Sequence, residues 1–258
     1  MVAVVALDLD GTLLRSDGSV SDRTVQILEE CKHRGMRVVV ATGRRIASSV
    51  RSLPPALQGC PSVYLNGAQV YLDGTCIHSE AIPLEDSLRV VDLIESRYPN
   101  CTLYADIGDR LYVNRPTEYP EALSIRRISD ALVEPPLKMV VNLGPENGVA
   151  CLAEEMPPSC RLIVTAGGAW GEVVAAPVSK ATGLAVLLQR WGLTLADTIA
   201  FGDEMNDLEM VAESGIGVAM GNAVPALKAV ADRVAPSNDE EGVAYTLETL
   251  LRDELYTL

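Results

Sequence analysis

Short runs of apolar, β-branched residues recur along the chain, separated by stretches whose apolar positions fall three and four residues apart. Val2–Leu7, Arg37–Ala41, Ser62–Leu65 and Thr198–Phe201 are too short for helices and almost wholly apolar. That is the pattern of strands buried on both faces. Between the first two, Val25, Ile27, Leu28 and Cys31 recur at helical spacing. Val20-Ser21-Asp22 supplies a staple residue and an N-cap for this helix, and Gly35 stops it. A second helix is expected after Thr42-Gly43-Arg44-Arg45, and Gln69–Ile77 reads as a hairpin turning at Asp73-Gly74. Strand and helix in repeated alternation predict an α/β fold, a doubly wound parallel sheet with right-handed crossovers.

The texture changes near Pro83. From 83 to 177 the chain predicts one amphipathic helix, marked by Leu84, Leu88, Val91 and Ile94. Short strands follow at Cys101–Ala105, Leu111–Val113, Met139–Leu143, Arg161–Thr165 and Glu172–Ala176, punctuated by prolines. The βα pattern then resumes with a helix over Ser179–Trp191 and the strand Thr198–Phe201. Short strands are expected near Gly217–Met220 and Arg233–Ala235, and a closing helix from Gly242. The expected organisation is a core made of residues 1–82 and 178–258, with an inserted α+β domain over 83–177.

Length and charge narrow the partners. The chain has 258 residues, 48% of them hydrophobic but only 4% aromatic, so its packing is aliphatic. A formal net charge of −14 argues against a nucleic-acid or acidic-membrane surface. An anionic substrate must then be held locally, by a metal ion or a few fixed cations. The opening apolar run is short and lacks a preceding basic segment, and no stretch approaches a membrane span, which predicts a cytoplasmic protein, monomeric or a small homo-oligomer. Six cysteines without C-x-x-C spacing, and only two histidines, read as incidental thiols in a reducing compartment rather than a zinc site.

Candidate chemistry collects where strands end. Leu7-Asp8-Leu9-Asp10-Gly11-Thr12 delivers two carboxylates into a glycine turn, and alternation along the strand would put both on one side. Two neighbouring carboxylates suit a hard cation with acid/base work beside it. Thr42 and Gly43 follow the second strand, Lys180 opens the helix after the insert, and Asp203, Asn206 and Asp207 follow the strand Thr198–Phe201. In an open parallel sheet ligands sit beyond the carboxyl ends of strands, where the strand order reverses. Strands one and four side by side would gather these carboxylates, the hydroxyl and the ammonium in one crevice. Each residue alone has a plainer reading: a cap or turn for the aspartates, a strand-end hydroxyl for Thr42, a solvated helix lysine for Lys180. Four of them in this order and context point to phosphoryl transfer through a carboxylate nucleophile.

Asp8-Leu9-Asp10-Gly11-Thr12, Thr42-Gly43-Arg44, Lys180 and Gly202-Asp203-Glu204-Met205-Asn206-Asp207 resemble, in order, the four motifs of the haloacid dehalogenase superfamily. Asn66-Gly67-Ala68, Gly217–Ala223 and Ser237–Ala244 are similar to its Cof-type branch, as is the insert's position between the second and third motifs. The sequence departs in one place: Ala181 follows the lysine and Pro177-Val178 precede Ser179, where the family commonly has glycine on both sides. The resemblance implies a Rossmann-like core with a substrate-selecting cap over 83–177, and a Mg²⁺-dependent phosphatase of small phosphorylated metabolites. It implies that Asp8 is the nucleophile and becomes the aspartyl-phosphate, and that Asp10 is the general acid and base. Thr42, Gly43, Lys180 and Asn206 would bind phosphate; Asp8, the Asp10 carbonyl and Asp203 would hold Mg²⁺, with Asp207 ligating it or standing behind. A phosphomutase or dedicated sugar-phosphate phosphatase is the enzyme alternative, and a non-catalytic sugar-phosphate sensor the alternative from another class. Asn66 reads equally as a turn residue, and Arg44, Arg45, Arg126 and Arg127 as solvated side chains.

Overall fold

The computed structural model describes residues 2–144, 147–165 and 167–255. In chain order the first elements are β1 (Val4–Leu7), α1 (Asp22–His33), β2 (Arg37–Ala41), α2 (Ile46–Ser52), β3 (Ser62–Tyr64), β4 (Gln69–Leu72) and β5 (Thr75–Ser79). Next come α3 (Leu84–Arg97), β6 (Thr102–Ile107), β7 (Arg110–Val113), β8 (Ala122–Ser124), β9 (Pro136–Asn142), β10 (Cys160–Val164) and β11 (Trp170–Ala175). The chain closes with α4 (Lys180–Arg190), β12 (Thr198–Gly202), α5 (Leu208–Glu213), β13 (Ile216–Ala219), α6 (Pro225–Val230), β14 (Arg233–Val234) and α7 (Gly242–Leu255). It divides into two compact units, Met1–His78 with Ser179–Leu258, and Ser79–Val178.

The discontinuous unit is built on an eight-stranded sheet ordered β14-β13-β12-β1-β2-β3-β4-β5. The six strands from β14 to β3 pair in parallel, and β4 turns back antiparallel to β3. Successive side chains of β1 serve opposite faces, as strand geometry requires. Val5 and Leu7 pack with Leu28 of α1 and Leu247 of α7, whereas Val4 and Ala6 pack with Leu184, Leu187 and Leu188 of α4. All four β1 side chains are fully buried. The strand is thus fixed from both sides, and it sits where the strand order reverses.

Ser21 caps α1 as its pattern predicts, its hydroxyl accepting from the Thr24 N–H at 3.1 Å. Asp73 and Gly74 both have positive φ (50° and 75°), the conformation that a two-residue hairpin turn needs. The third strand stops one residue before its predicted end, because Leu65 and Asn66 take left-handed backbone conformations (φ 51° and 60°).

The inserted unit carries a six-stranded sheet, ordered β10-β11-β9-β6-β7-β8, antiparallel except where β8 joins β7. Leu103, Ala105, Met139, Val141 and Val173 form one wholly buried face of this sheet, and α3 contributes the buried stripe Val90, Val91 and Ile94. Among the described residues no helix is long and apolar enough to cross a membrane. The six cysteines form no disulfide.

Candidate active site

The carboxyl ends of β1 and β12 lie side by side, with Leu7 paired to Phe201 and the Asp8 N–H donating to the Phe201 carbonyl at 3.1 Å. Asp8 therefore leaves β1 next to the point where Asp203 leaves β12. Lys180 is the first residue of α4, whose N-cap Ser179 forms a reciprocal capping box with Thr182. That cap starts the helix without glycine on either side of the lysine. It also buries the Lys180 side chain, whose Nζ donates at 2.6 Å to Oδ1 of Asp8 and at 2.6 Å to Oδ1 of Asp207. The other Asp207 oxygen accepts from the N–H groups of Asp203 (3.0 Å) and Glu204 (3.1 Å). Thr12 Oγ1 donates to Asp203 Oδ1 at 2.8 Å. Gly11 has φ +74°, and a Cβ there would stand 2.3 Å from an Asp203 oxygen, so only glycine lets the turn pass this carboxylate.

The loop after β2 meets the loop after β3. Thr42 is buried; its N–H donates to Val63 O (2.8 Å) and its Oγ1 accepts from the Arg44 N–H (3.1 Å). Asn66, fully buried, returns its N–H to the Thr42 carbonyl at 3.1 Å and accepts from Asn206 Nδ2 at 3.0 Å through its side chain. A Cβ on Gly43 would stand 2.9 Å from Asn66 Oδ1, so the glycine permits this close approach. Among the described residues Asn206 Oδ1 is buried without a hydrogen-bond partner, an orphaned polar atom on a side chain joined to the Thr42 loop through Asn66.

Asp10 stands apart from this cluster. β1 ends at Leu7, and the chain turns through Leu9–Leu14, so strand alternation no longer governs position ten. Leu9 is buried, Asp8 is buried, and the Asp10 side chain is 57% exposed. Arg44 grips it from two directions, Nε donating to Oδ2 at 2.6 Å and Nη2 to Oδ1, while Nη1 donates to Ser52 Oγ at 2.7 Å.

Oxygens of Asp8, Asp203 and Asp207 lie within 4.8 Å of one another. Burial, with repulsion from Asp207 and Asp203, holds the Asp8 carboxyl well above the usual carboxylate range although Lys180 pulls against it. Burial, and after it the charge of Asp207, pushes Asp203 up to about 7. Burial also works against the Lys180 ammonium, but Asp207 and Asp8 outweigh it and raise its pKa. Three clustered carboxylates beside one ammonium, which donates to two of them, make a site short of positive charge. An all-oxygen donor set of this kind fits a hard divalent cation.

The structure thus brings together Asp8, Lys180, Asp203 and Asp207, and joins Thr42 and Gly43 to Asn206 through Asn66. Two residues with a part in the arrangement were quoted from sequence without an assigned role, Thr12 within its motif and Arg44 with a solvated reading. A hydroxyl in a glycine turn and an arginine at a helix start have no pattern of their own; only the partners Asp203 and Asp10 give them a place.

The profile of the haloacid dehalogenase-like hydrolases matches residues 5–247. The chain is 32% identical to 5-amino-6-(5-phospho-D-ribitylamino)uracil phosphatase YitU of Bacillus subtilis (strain 168), over 95% of this chain and 96% of that protein. It is 31% identical to the phosphoglycolate phosphatase of Methanopyrus kandleri, over 98% and 99%. Among solved structures, BT1666 from Bacteroides thetaiotaomicron, described among phosphatases of the same superfamily, superposes with a TM-score of 0.84 at 28% identity, covering 96% of this chain and 95% of that one.

Proposed function

We propose that this chain, which belongs to the haloacid dehalogenase-like hydrolases and is a phosphatase of that family, hydrolyses phosphomonoesters of small metabolites through an aspartyl-phosphate on Asp8, with Mg²⁺ as its metal. The observation that carries this reading is the clustering of the Asp8, Asp203 and Asp207 carboxylates, two of which, Asp8 and Asp207, accept from the buried Lys180 ammonium. A bound Mg²⁺ would neutralise the excess carboxylate charge and polarise the phosphoryl oxygens. Asp8, Asp203 and the Asp10 carbonyl would hold it. Both oxygens of Asp207 are engaged, one by Lys180 and one by two backbone N–H groups, which favours Asp207 as the residue that orients Lys180 and the Asp203 turn.

Asp8 is suited to attack phosphorus. Lys180 fixes one of its oxygens and leaves the other without a protein donor among the described residues. Lys180 Nζ, the Thr42 hydroxyl and the Asn206 amide N–H then donate to the oxygens of the transferring phosphoryl group. Asp10 protonates the leaving oxygen and afterwards takes a proton from the water that cleaves the phosphoenzyme. Residues 83–177 act as the cap that selects the leaving group. The two relatives are named for a phosphorylated ribitylaminouracil and for phosphoglycolate, chemically unlike esters, so the likeness favours the reaction and leaves the leaving group open.

The test is Asp8→Asn. An amide cannot attack phosphorus, so turnover of every phosphomonoester should vanish while the fold persists. Removing one charge from a crowded carboxylate cluster should also raise the melting temperature of metal-free protein. Wild-type phosphate release by the purified variant would overturn the nucleophile assignment.

A further inference from the structure

The turn 9–14 that follows β1 carries Asp10, and its internal bonds begin late. The N–H groups of Thr12 and Leu14 donate to the Leu9 carbonyl at 3.4 and 2.8 Å, and the Leu13 N–H donates to the Asp8 carbonyl at 3.2 Å. Ahead of these donors stands Gly11, in the left-handed region at φ +74° with no side chain to anchor it. Asp10, just before it, is exposed. The two residues that decide where the Asp10 carboxyl points are therefore restrained least by the turn itself.

The restraint comes from a segment more than two hundred residues away. β13 runs beside β12 and ends at Ala219, and the loop 220–224 that follows reaches both aspartate-bearing turns. Asn222 Nδ2 donates to the Gly11 carbonyl at 2.8 Å, and the Val224 N–H donates to the Asp203 carbonyl at 2.9 Å. The Met220 N–H holds the Gly202 carbonyl at 3.0 Å. One short loop thus ties the Asp10 turn to the Asp203 turn, where Thr12 Oγ1 already bonds Asp203.

Asn222 is itself braced. Its Oδ1 accepts from the Asn238 N–H at 3.1 Å, and Asn238 Nδ2 donates to the Leu14 carbonyl at 2.9 Å. The two asparagines therefore clasp the turn at both ends, Gly11 and Leu14. The next residues secure the brace: Asp239 accepts from the Ser16 N–H and hydroxyl at 2.8 and 2.7 Å, and Glu241 pairs with Arg15 at 2.6 Å. Gly221 allows the close approach, since a Cβ there would stand 2.8 Å from the Ser237 nitrogen. The residue type at 222 matters. A primary amide offers a donor for Gly11 and an acceptor for Asn238 on one short side chain, whereas a carboxylate of the same shape keeps the acceptor and sets an oxygen against the Gly11 carbonyl. Asn222 is exposed, so its bonds do little for the fold as a whole. Their value lies in which carbonyl they hold.

We propose that Asn222, braced by Asn238, is a positioning residue: it holds the Gly11 peptide and so aims the Asp10 carboxyl for proton transfer. The proposal rests on the phosphatase reading with Asp10 as the acid. The experiment takes the full chain as wild type, Asn222→Ala, Asn222→Asp and Asn238→Ala. Amide hydrogen exchange is followed across residues 9–14, and kcat/KM is measured for phenyl phosphate and p-nitrophenyl phosphate. These esters are alike in shape and differ in how much their leaving oxygen needs a proton, and kcat/KM covers only the steps up to its departure. In both Asn222 variants exchange in the turn should quicken while the urea midpoint barely moves. Both should lose about fivefold or more in kcat/KM for phenyl phosphate relative to p-nitrophenyl phosphate, a modest share of what general acid catalysis supplies. Agreement between the alanine and aspartate variants assigns the effect to the missing donor rather than to added charge. Asn238→Ala keeps the Gly11 bond, so its effects should be smaller in the same direction. Unchanged exchange in the turn of either Asn222 variant, or equal losses on the two esters, overturns the proposal while phosphatase activity stands. A larger effect from Asn238→Ala than from the Asn222 variants would place the anchor at Leu14 and overturn it too. In a wild type inert towards both esters the phosphatase reading itself falls, and exchange alone decides whether Asn222 holds the turn.

Discussion

Arg44, a side chain that sequence left as solvated, makes a specific contact at the site. Its guanidinium meets both oxygens of Asp10, a two-point grip that a lysine ammonium cannot reproduce. Exposed ion pairs contribute only about 0.2–1 kcal/mol to stability, so the pair is better understood as aiming Asp10 than as holding the fold. Arg44→Ala should leave the melting temperature nearly unchanged and lower kcat by roughly tenfold or more on alkyl phosphates, whose poor leaving groups need a placed acid; general acid/base catalysis is worth about 10²–10⁴-fold. Aryl phosphates should suffer less, and Arg44→Lys should recover only part of the loss. Equal losses on both ester types would remove Arg44 from the proton-transfer step. Asp203 allows a test by pH. Its pKa rises from 3.8 to about 7 in the fold, so the folded protein keeps a proton that the unfolded chain has released between those values. The stability tied to that proton is full below pH 3.8 and is lost as pH rises through about 7. In chelator, Asp203→Asn should therefore melt higher than wild type at pH 8, with the difference shrinking towards pH 4; saturating Mg²⁺ should reverse its sign. A difference independent of pH in calorimetry would contradict a raised Asp203 pKa. These aspartates and Lys180 were legible because each sits one step beyond an unmistakable strand or at a helix start. Thr12 and Arg44 were not, since a hydroxyl and an arginine acquire meaning only from a partner remote in sequence.

At the scale of elements, long periodic segments were readable, and of the short ones β3, β7, β13 and β14 were expected while others were not. The buried strands β1, β2 and β12 and helices α1, α3 and α4 follow from runs and spacings that burial on one or two faces enforces. β8 spans three residues and α6 six, too few for any period to show. The end of β1 shows the same limit from the other side. Alternation predicts that Asp8 and Asp10 share a side, but alternation belongs to strands, and the strand stops at Leu7. The start of α4 does work that composition hides. Ser179 caps the helix by accepting from the Thr182 N–H at 3.1 Å, while Thr182 Oγ1 accepts from the Ser179 N–H at 2.9 Å. Losing an N-cap costs about 1 kcal/mol. Here the first helical residue is Lys180, so the same loss loosens the ammonium between Asp8 and Asp207. Ser179→Ala should lower stability in urea by about 1 kcal/mol and also reduce kcat, whereas Ser179→Asp restores a capping oxygen and most of the stability. Full activity in Ser179→Ala with the stability loss present would show that Lys180 is held by its ion pairs alone.

For the whole molecule, we propose a division of tasks that follows the division of the chain into two units. The groups gathered around Asp8 are carboxylates, an ammonium, hydroxyls and amides, suited to a phosphoryl group and offering little shape to the rest of a substrate. The unit Ser79–Val178 is continuous in sequence and has its own sheet and its own buried apolar face. The other unit closes its sheet from both ends of the chain, with β1 paired to β12, so nothing in its strand order depends on the insert. Inserted domains of this size commonly move relative to their hosts, and closure over a reacting centre excludes bulk water. The expectation is therefore asymmetric. Replacing 83–177 by a short flexible linker should leave a soluble core that still hydrolyses p-nitrophenyl phosphate slowly in Mg²⁺, because every group proposed for the chemistry remains. The same core should lose its ranking among metabolite phosphates, with kcat/KM values collapsing towards one another. The measurement is kcat/KM across a panel of sugar, alditol, carboxylated and aryl phosphates before and after the replacement, with circular dichroism confirming the fold of the core. If a folded, capless core kept the original order of preference, selection would lie in the loops around Asp8 and the insert would need another purpose. A core that folds but loses aryl-phosphate turnover altogether would mean that the insert contributes to the chemical step as well as to choice.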